Sequence, residues 1–225
     1  MQYGFYTDEI IYFADYPGYK CNQHGYRTHE FHSWDNHTFV LGDSNVFGID
    51  VKEDHKIFCN KIENKTGQKI YNLGQPGASC EEVVRVLYSF TNKPSPKKVV
   101  VVWPFLLRRN HQSHDHVAPI RITGSKEPLY VKYIVNNNDD MDIAHFLQQV
   151  FFVEQWCKWK NTQCYHFLHS AEDRQNLETR KVQFNNLYTY TFEDCARDVG
   201  HKGYGHFDSV AHEAYADYVV KILDF

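Results

Sequence analysis

Hydrophobic positions along the chain fall into short β-branched runs separated by longer stretches with a helical period, and this alternation predicts most of the elements. Thr38 to Leu41 is an apolar run that stops at Gly42, and the 53 to 65 stretch behind it carries helix formers with Phe58 and Ile62 one turn apart. Lys69 to Asn72 predicts a second strand, and Val83, Val84, Leu87 and Phe90 share one face of a helix over Glu81 to Phe90. Pro94 and Pro96 break the chain ahead of Lys98 to Trp103, where four consecutive valines read as a central strand buried on both faces. Apolar positions 143, 146, 147, 150, 151 and 153 describe a long helix from Asp142 to about Lys160, and Cys164 to Leu168 is another buried strand. The clearest period comes last: Val210, Ala211, Ala214, Tyr215, Tyr218, Val219, Ile222 and Leu223 line a helix with Asp208 or Ser209 as its N-cap.

Strands near 39, 70, 100 and 166 alternating with helices predict one α/β domain over 37–225, doubly wound, with a mostly parallel sheet covered by helices on both faces. Residues 1–36 are rich in Tyr, His, Asp and Gly and have no sustained period. They read as an irregular arm folded over the domain, with a short strand at Glu9 to Phe13 and with Asn22, His24, Arg27 and His29 as polar groups able to reach a site. Residues 104–140 are the longest irregular region and are read as a lid or substrate loop, because loops of that length are seldom idle. Residues 170–190 are polar and weakly patterned, a helix with loops.

A chain of 225 residues is long enough to bury a sizeable core in one domain. Its net charge of −4, with Lys and Arg scattered, supplies no basic field, so nucleic acid is not the expected partner. Val99 to Leu107 falls far short of the about 18 apolar residues that a membrane span needs, and Asp8 and Glu9 stand where a leader would be basic. The expectation is a soluble, cytoplasmic-type protein without a signal peptide. Cys21, Cys59, Cys80, Cys157, Cys164 and Cys195 form no CxxC pair and read as free, packed thiols.

Ser44 stands in the turn that ends the first strand, at the carboxyl edge where ligands collect in a parallel sheet. A serine there also serves as a turn former or N-cap. To act as a nucleophile its hydroxyl needs a base, an orienter for that base and donors for an oxyanion. The loops after the first three strands, and Asp198, His201 and His206 ahead of the last helix, converge on that edge.

The motifs at these places resemble those of a known family. Leu41-Gly42-Asp43-Ser44-Asn45 is similar to the first block of the SGNH or GDSL hydrolases, and Asn72-Leu73-Gly74-Gln75-Pro76-Gly77-Ala78-Ser79 to the second. Ala196-Arg197-Asp198-Val199-Gly200-His201-Lys202-Gly203 resembles the fifth, an Asp-x-x-His ahead of the C-terminal helix. The resemblance implies a flavodoxin-like three-layer fold and a serine esterase that needs no cofactor or metal. It makes Ser44 the nucleophile and first oxyanion donor, Gly77 the second donor, His201 the base and Asp198 its orienter. The substrate would be a small-molecule, glycan or lipid ester.

Two departures stand out. The family's third block ends in Gly-x-Asn-Asp, whereas this chain has Trp103-Pro104-Phe105 running on to Arg108, Arg109 and Asn110, so the side-chain oxyanion donor is missing from its usual place: either Asn110 or Arg109 substitutes for it, or the hole has only two main-chain donors. Arg108 and Arg109 are also candidates for binding substrate. His206, five residues past His201, is the alternative base: it aligns without a gap to the following helix but has Gly203 where the acid should be. His212 reads as a packed or hydrogen-bonded helix residue. His111, His114, Asp115 and His116 lack a defined ligand geometry and read as solvated rather than metal-binding. An acyltransferase using the same serine, and a binding module without turnover, are the rival readings.

Overall fold

The computed structural model describes residues 16–32, 34, 36–106, 109–112, 117–120, 139–201 and 205–223. Strands β1 (His37–Leu41), β2 (Lys69–Asn72), β3 (Lys98–Trp103), β6 (Gln163–Leu168) and β7 (Leu187–Tyr188) form one sheet in the order β2-β1-β3-β6-β7, with every pairing parallel. Strand order reverses between β1 and β3, which makes the crevice at their carboxyl ends the place where such folds hold ligands.

Alternation along the strands explains why they are apolar throughout. Phe39, Leu41, Val99, Val101, Trp103 and Leu168 face one core, shared with helices α3 (Cys80–Ser89) and α4 (Asp139–Trp159). Val40, Val100, Val102 and Phe167 face the other, shared with α2 (Phe58–Thr66) and the last helix, α7 (Ser209–Leu223). Trp156 is buried and donates from its indole to Thr91 Oγ1 at 3.2 Å, while Trp159 lies on the surface. All six cysteines are free thiols. Among the described residues no helix is long and apolar enough to cross a membrane.

The structure differs from the pattern reading in several places, among them strand β7 within the stretch read as a helix with loops. The single helix read over 53–65 is a 3-10 turn (Asp54–Lys56) followed by α2, and ahead of them stands a four-residue helix α1 (Ser44–Phe47), closed by Gly48 at φ 85°. The region read as irregular over 104–140 contains an antiparallel hairpin, β4 (Arg109–Gln112) with β5 (Val117–Ile120). Its wholly polar first strand and the proline in its second hide the two-residue period. The strand read at Glu9 to Phe13 lies outside the described residues.

A further difference concerns the arm. Arg27 is 2% exposed and serves the scaffold: its guanidinium donates to Gly48 O at 2.6 Å, Val51 O at 2.8 Å and Asp54 Oδ1 at 2.8 Å. Asn22 closes the arm's own turn by accepting from the backbone N–H of His24 and Tyr26. The residues between β7 and α7 also gain a helix, α6 (Phe192–Asp198), started by a capping box between Thr191 and Asp194; α5 (Ala171–Thr179) precedes it.

His212 of α7 is buried, and its Nδ1 accepts from Phe58 N at 3.1 Å, so an imidazole supplies the cap that Ile57 cannot give to α2. Burial, aided by the charge of Arg27 and opposed by Asp208, pushes the His212 imidazole down to about 3. An unfolded histidine titrates near about 6.5, so below that pH the unfolded chain takes up a proton that the folded chain refuses, and stability present above it is lost as pH falls. Between pH 7 and 5 this group is expected to cost the protein about 2 kcal/mol. Urea melts at the two pH values should show that slope in the native chain and a flatter one in His212→Gln; parallel slopes would contradict it.

Candidate active site

At the end of β1 the chain turns within a space that only glycine fits. A Cβ on Gly42 would lie 2.3 Å from Val46 Cγ2 and 2.7 Å from Val102 O. Asp43, not Ser44, caps α1: its carboxylate accepts from Asn45 N at 3.0 Å. Ser44 is therefore released from the capping role and opens the helix at 8% exposure. Among the described residues, no group hydrogen-bonds its Oγ.

The second loop is stitched to the first. Leu73 N donates to Val40 O at 2.8 Å and Gln75 N to Gly42 O at 3.0 Å, while Asn72 Nδ2 donates to Val46 O at 2.8 Å. A Cβ on Gly74 would sit 2.5 Å from Phe47 N, so this glycine too is a close-approach position. Gln75 O then accepts from Ala78 N at 3.0 Å around Pro76 and Gly77, and Gly77 has φ 82°. Proline followed by a residue of positive φ is the type II turn, which favours glycine at its third position.

The third loop offers no amide side chain as far as it is described from β3. Trp103 turns its indole into the core, donating to His166 Nδ1 at 3.1 Å, and Leu106 N is held by Asp173 Oδ1 at 3.2 Å. Phe105 meets the edge of His169 with ring centroids 4.6 Å apart. Arg108 lies outside the described residues. The backbones of Arg109 and Asn110 belong to β4, and their side chains are not among those described.

The histidine loop gathers around Phe207. Its N–H donates to Asn45 Oδ1 at 3.3 Å, which ties the loop to the residue after Ser44, and its ring meets the edge of His201 at 5.6 Å and stacks on His169 at 5.6 Å. His201 Nδ1 stands 3.4 Å from Asp208 Oδ2, and its Nε2 is buried without a partner. Asp208 also caps α7 through Val210 N and Ala211 N, both at 3.0 Å. The hydrogen bond from Ala211 N is the main reason that its carboxyl is held below the usual range.

The spacing-based partner of His201 is engaged elsewhere: Asp198, the last residue of α6, accepts a hydrogen bond from the Tyr190 hydroxyl. His206 turns outward, its Nδ1 3.1 Å from Asp50 Oδ2 and a third of its side chain exposed. Neither imidazole is bonded to Ser44. Asn45, Gln75, His169 and Asp208 complete this edge and were not read from the sequence as site residues. His169 carried a usable signal, since it directly follows a buried strand at the ligand-binding edge.

No protein-family model and no curated protein matches the chain. Solved structures do. The chain is similar to a carbohydrate esterase family 2 enzyme with a carbohydrate-binding domain from Corynascus thermopiles (Myceliophthora fergusii), at TM-score 0.52 and 13% identity over 85% of this chain and 67% of that one. It is also similar to a protein described as a GDSL-like lipase from Bacteroides ovatus, at TM-score 0.50 and 14% identity over 85% of this chain, which spans 54% of that one.

Proposed function

Given the SGNH/GDSL-type hydrolase fold of this chain, we propose that it is a serine-dependent ester hydrolase that removes an O-acyl group through an acyl-enzyme. Ser44 Oγ attacks the ester carbonyl as His201 Nε2 takes its proton, and the backbone N–H groups of Ser44 and Gly77 receive the negative charge on the carbonyl oxygen. Collapse of the tetrahedral intermediate expels the alcohol, protonated by His201, and a water activated by the same imidazole then releases the acid. Asp208 takes the orienter's role that the Asp-x-x-His spacing would give to Asp198, because Asp208 is the carboxylate facing His201 Nδ1.

One observation carries this reading. His201 presents one ring nitrogen to a carboxylate and keeps the other buried and unpartnered, on a loop bonded to the neighbour of Ser44. The fold likeness to a carbohydrate esterase supports a small-molecule or glycan ester as substrate, with lipid esters a further class. An acyltransferase would use the same groups with an alcohol in place of water. The unbonded Oγ of Ser44 is equally compatible with a binding module, and a fluorophosphonate probe separates the two. The native chain is expected to label at Ser44 and the folded Ser44→Ala variant not to label; a folded native chain that stays unlabelled would leave the binding module.

A further inference from the structure

We propose that Phe105 is the contact for the leaving alcohol of the ester and that it selects alcohols carrying a flat apolar ring. The inference deepens the serine-hydrolase reading and rests on it. Residues 104–106, which bring no amide to the site, bring an aromatic ring to the same edge: Phe105 lies two residues past the end of β3, the strand that pairs with β1 and the turn bearing Ser44. Its ring is 39% exposed, while Phe207 and His169 behind it are 6% and 4% exposed.

A row of rings joins Phe105 to the histidine loop. Phe105 meets the edge of His169 with centroids 4.6 Å apart, His169 stacks on Phe207 at 5.6 Å, and Phe207 meets the edge of His201 at 5.6 Å. The Phe207 backbone is in turn bonded to Asn45, next to Ser44. The covered rings fix the row in place, and Phe105 is the member with area to offer a ligand.

The direction of the chemistry assigns this row to one half of the substrate. When the tetrahedral intermediate collapses, the C–O bond to the alcohol breaks, the electron pair leaves with that oxygen, and the imidazole delivers a proton to it. The leaving oxygen therefore stands on the side of the loop that carries the imidazole, whether His201 or His206, and the row of rings starts from that loop. The rest of the alcohol extends along the row toward Phe105, while the acyl carbon stays on Ser44. A phenyl ring takes up a flat apolar partner through dispersion and edge-to-face or offset contact, and an alcohol too small to span the row gains nothing from it.

Phe105→Ala and Phe105→Trp are compared with the native chain on 2-phenylethyl acetate, ethyl acetate and ethyl 3-phenylpropanoate, with thermal melts of each protein. The first two esters differ only by a ring on the alcohol, and the third carries its ring on the acyl side. Phe105→Ala is expected to lower kcat/KM about tenfold for 2-phenylethyl acetate and less than about twofold for the other two, with Phe105→Trp keeping the native preference. An equal loss on all three esters, a loss confined to the ring on the acyl side, or an undiminished kcat/KM for 2-phenylethyl acetate overturns the assignment. A merely structural role would lower all three together with Tm. If the folded native chain hydrolyses none of these esters and stays unlabelled by fluorophosphonate, the serine-hydrolase reading fails and this inference with it; hydrolysis with an unmoved preference in Phe105→Ala sinks this inference alone.

Discussion

Replacing His201 by alanine is expected to lower kcat for short-chain ester hydrolysis by at least about a hundredfold relative to His206→Ala. The two rings sit five residues apart but in different surroundings. His201 has 15% of its side chain exposed, faces Asp208 through Nδ1 and keeps Nε2 covered and unpaired, the state a general base needs before its substrate arrives. His206 is a third exposed, and its Nδ1 is turned to a largely exposed Asp50 just beyond α1. Equal and modest losses in the two variants would refute the choice of base. The companion comparison is Asp208→Asn with Asp198→Asn. Asparagine is as good an N-cap as aspartate, so the first variant should keep α7 and still lose activity by upsetting the tautomer of His201. The second still offers an amide oxygen to the Tyr190 hydroxyl and should keep most of its kcat.

Arg27→Met should cost the fold about 2 to 4 kcal/mol. The guanidinium is almost wholly covered and serves three carbonyls and a carboxylate, with the Tyr19 ring 4.6 Å from its centre. Asp54, its ionic partner, is 41% exposed, so that pair alone would be worth little. The cost comes mainly from Val51 O, left in a buried setting without a donor at about 1 to 3 kcal/mol, while Gly48 O keeps the hydrogen bond from Val51 N at 3.2 Å. Denaturant titration should show the loss as a lower midpoint at an unchanged slope. A change under about 1 kcal/mol would mean that water replaces the guanidinium at those carbonyls.

Four of the sheet's five strands were legible in the sequence because of their apolar runs, and Val99 to Val102 or Thr38 to Leu41 cannot sit comfortably in anything else; β7, two half-buried residues in a stretch read as helix and loops, was not. The helices that pack on it were legible for the matching reason, one apolar stripe each. Short elements were not: α1 is too brief for a period, and the β4–β5 hairpin carries polar residues where a pattern would need apolar ones. For the site, spacing identified the segments and missed the partnerships. Asp198 has the right distance from His201 along the chain, yet α6 carries it to Tyr190, and it is Asp208, at the start of α7, that faces the ring.

The cap that α7 lends to α2 has a consequence for biosynthesis. His212 lies 154 residues beyond the amide it receives. A ribosome adding about 5 to 20 residues per second delivers that imidazole roughly 8 to 30 s after Phe58 has been polymerised. Throughout that interval the opening turn of α2 must rely on solvent for that hydrogen bond.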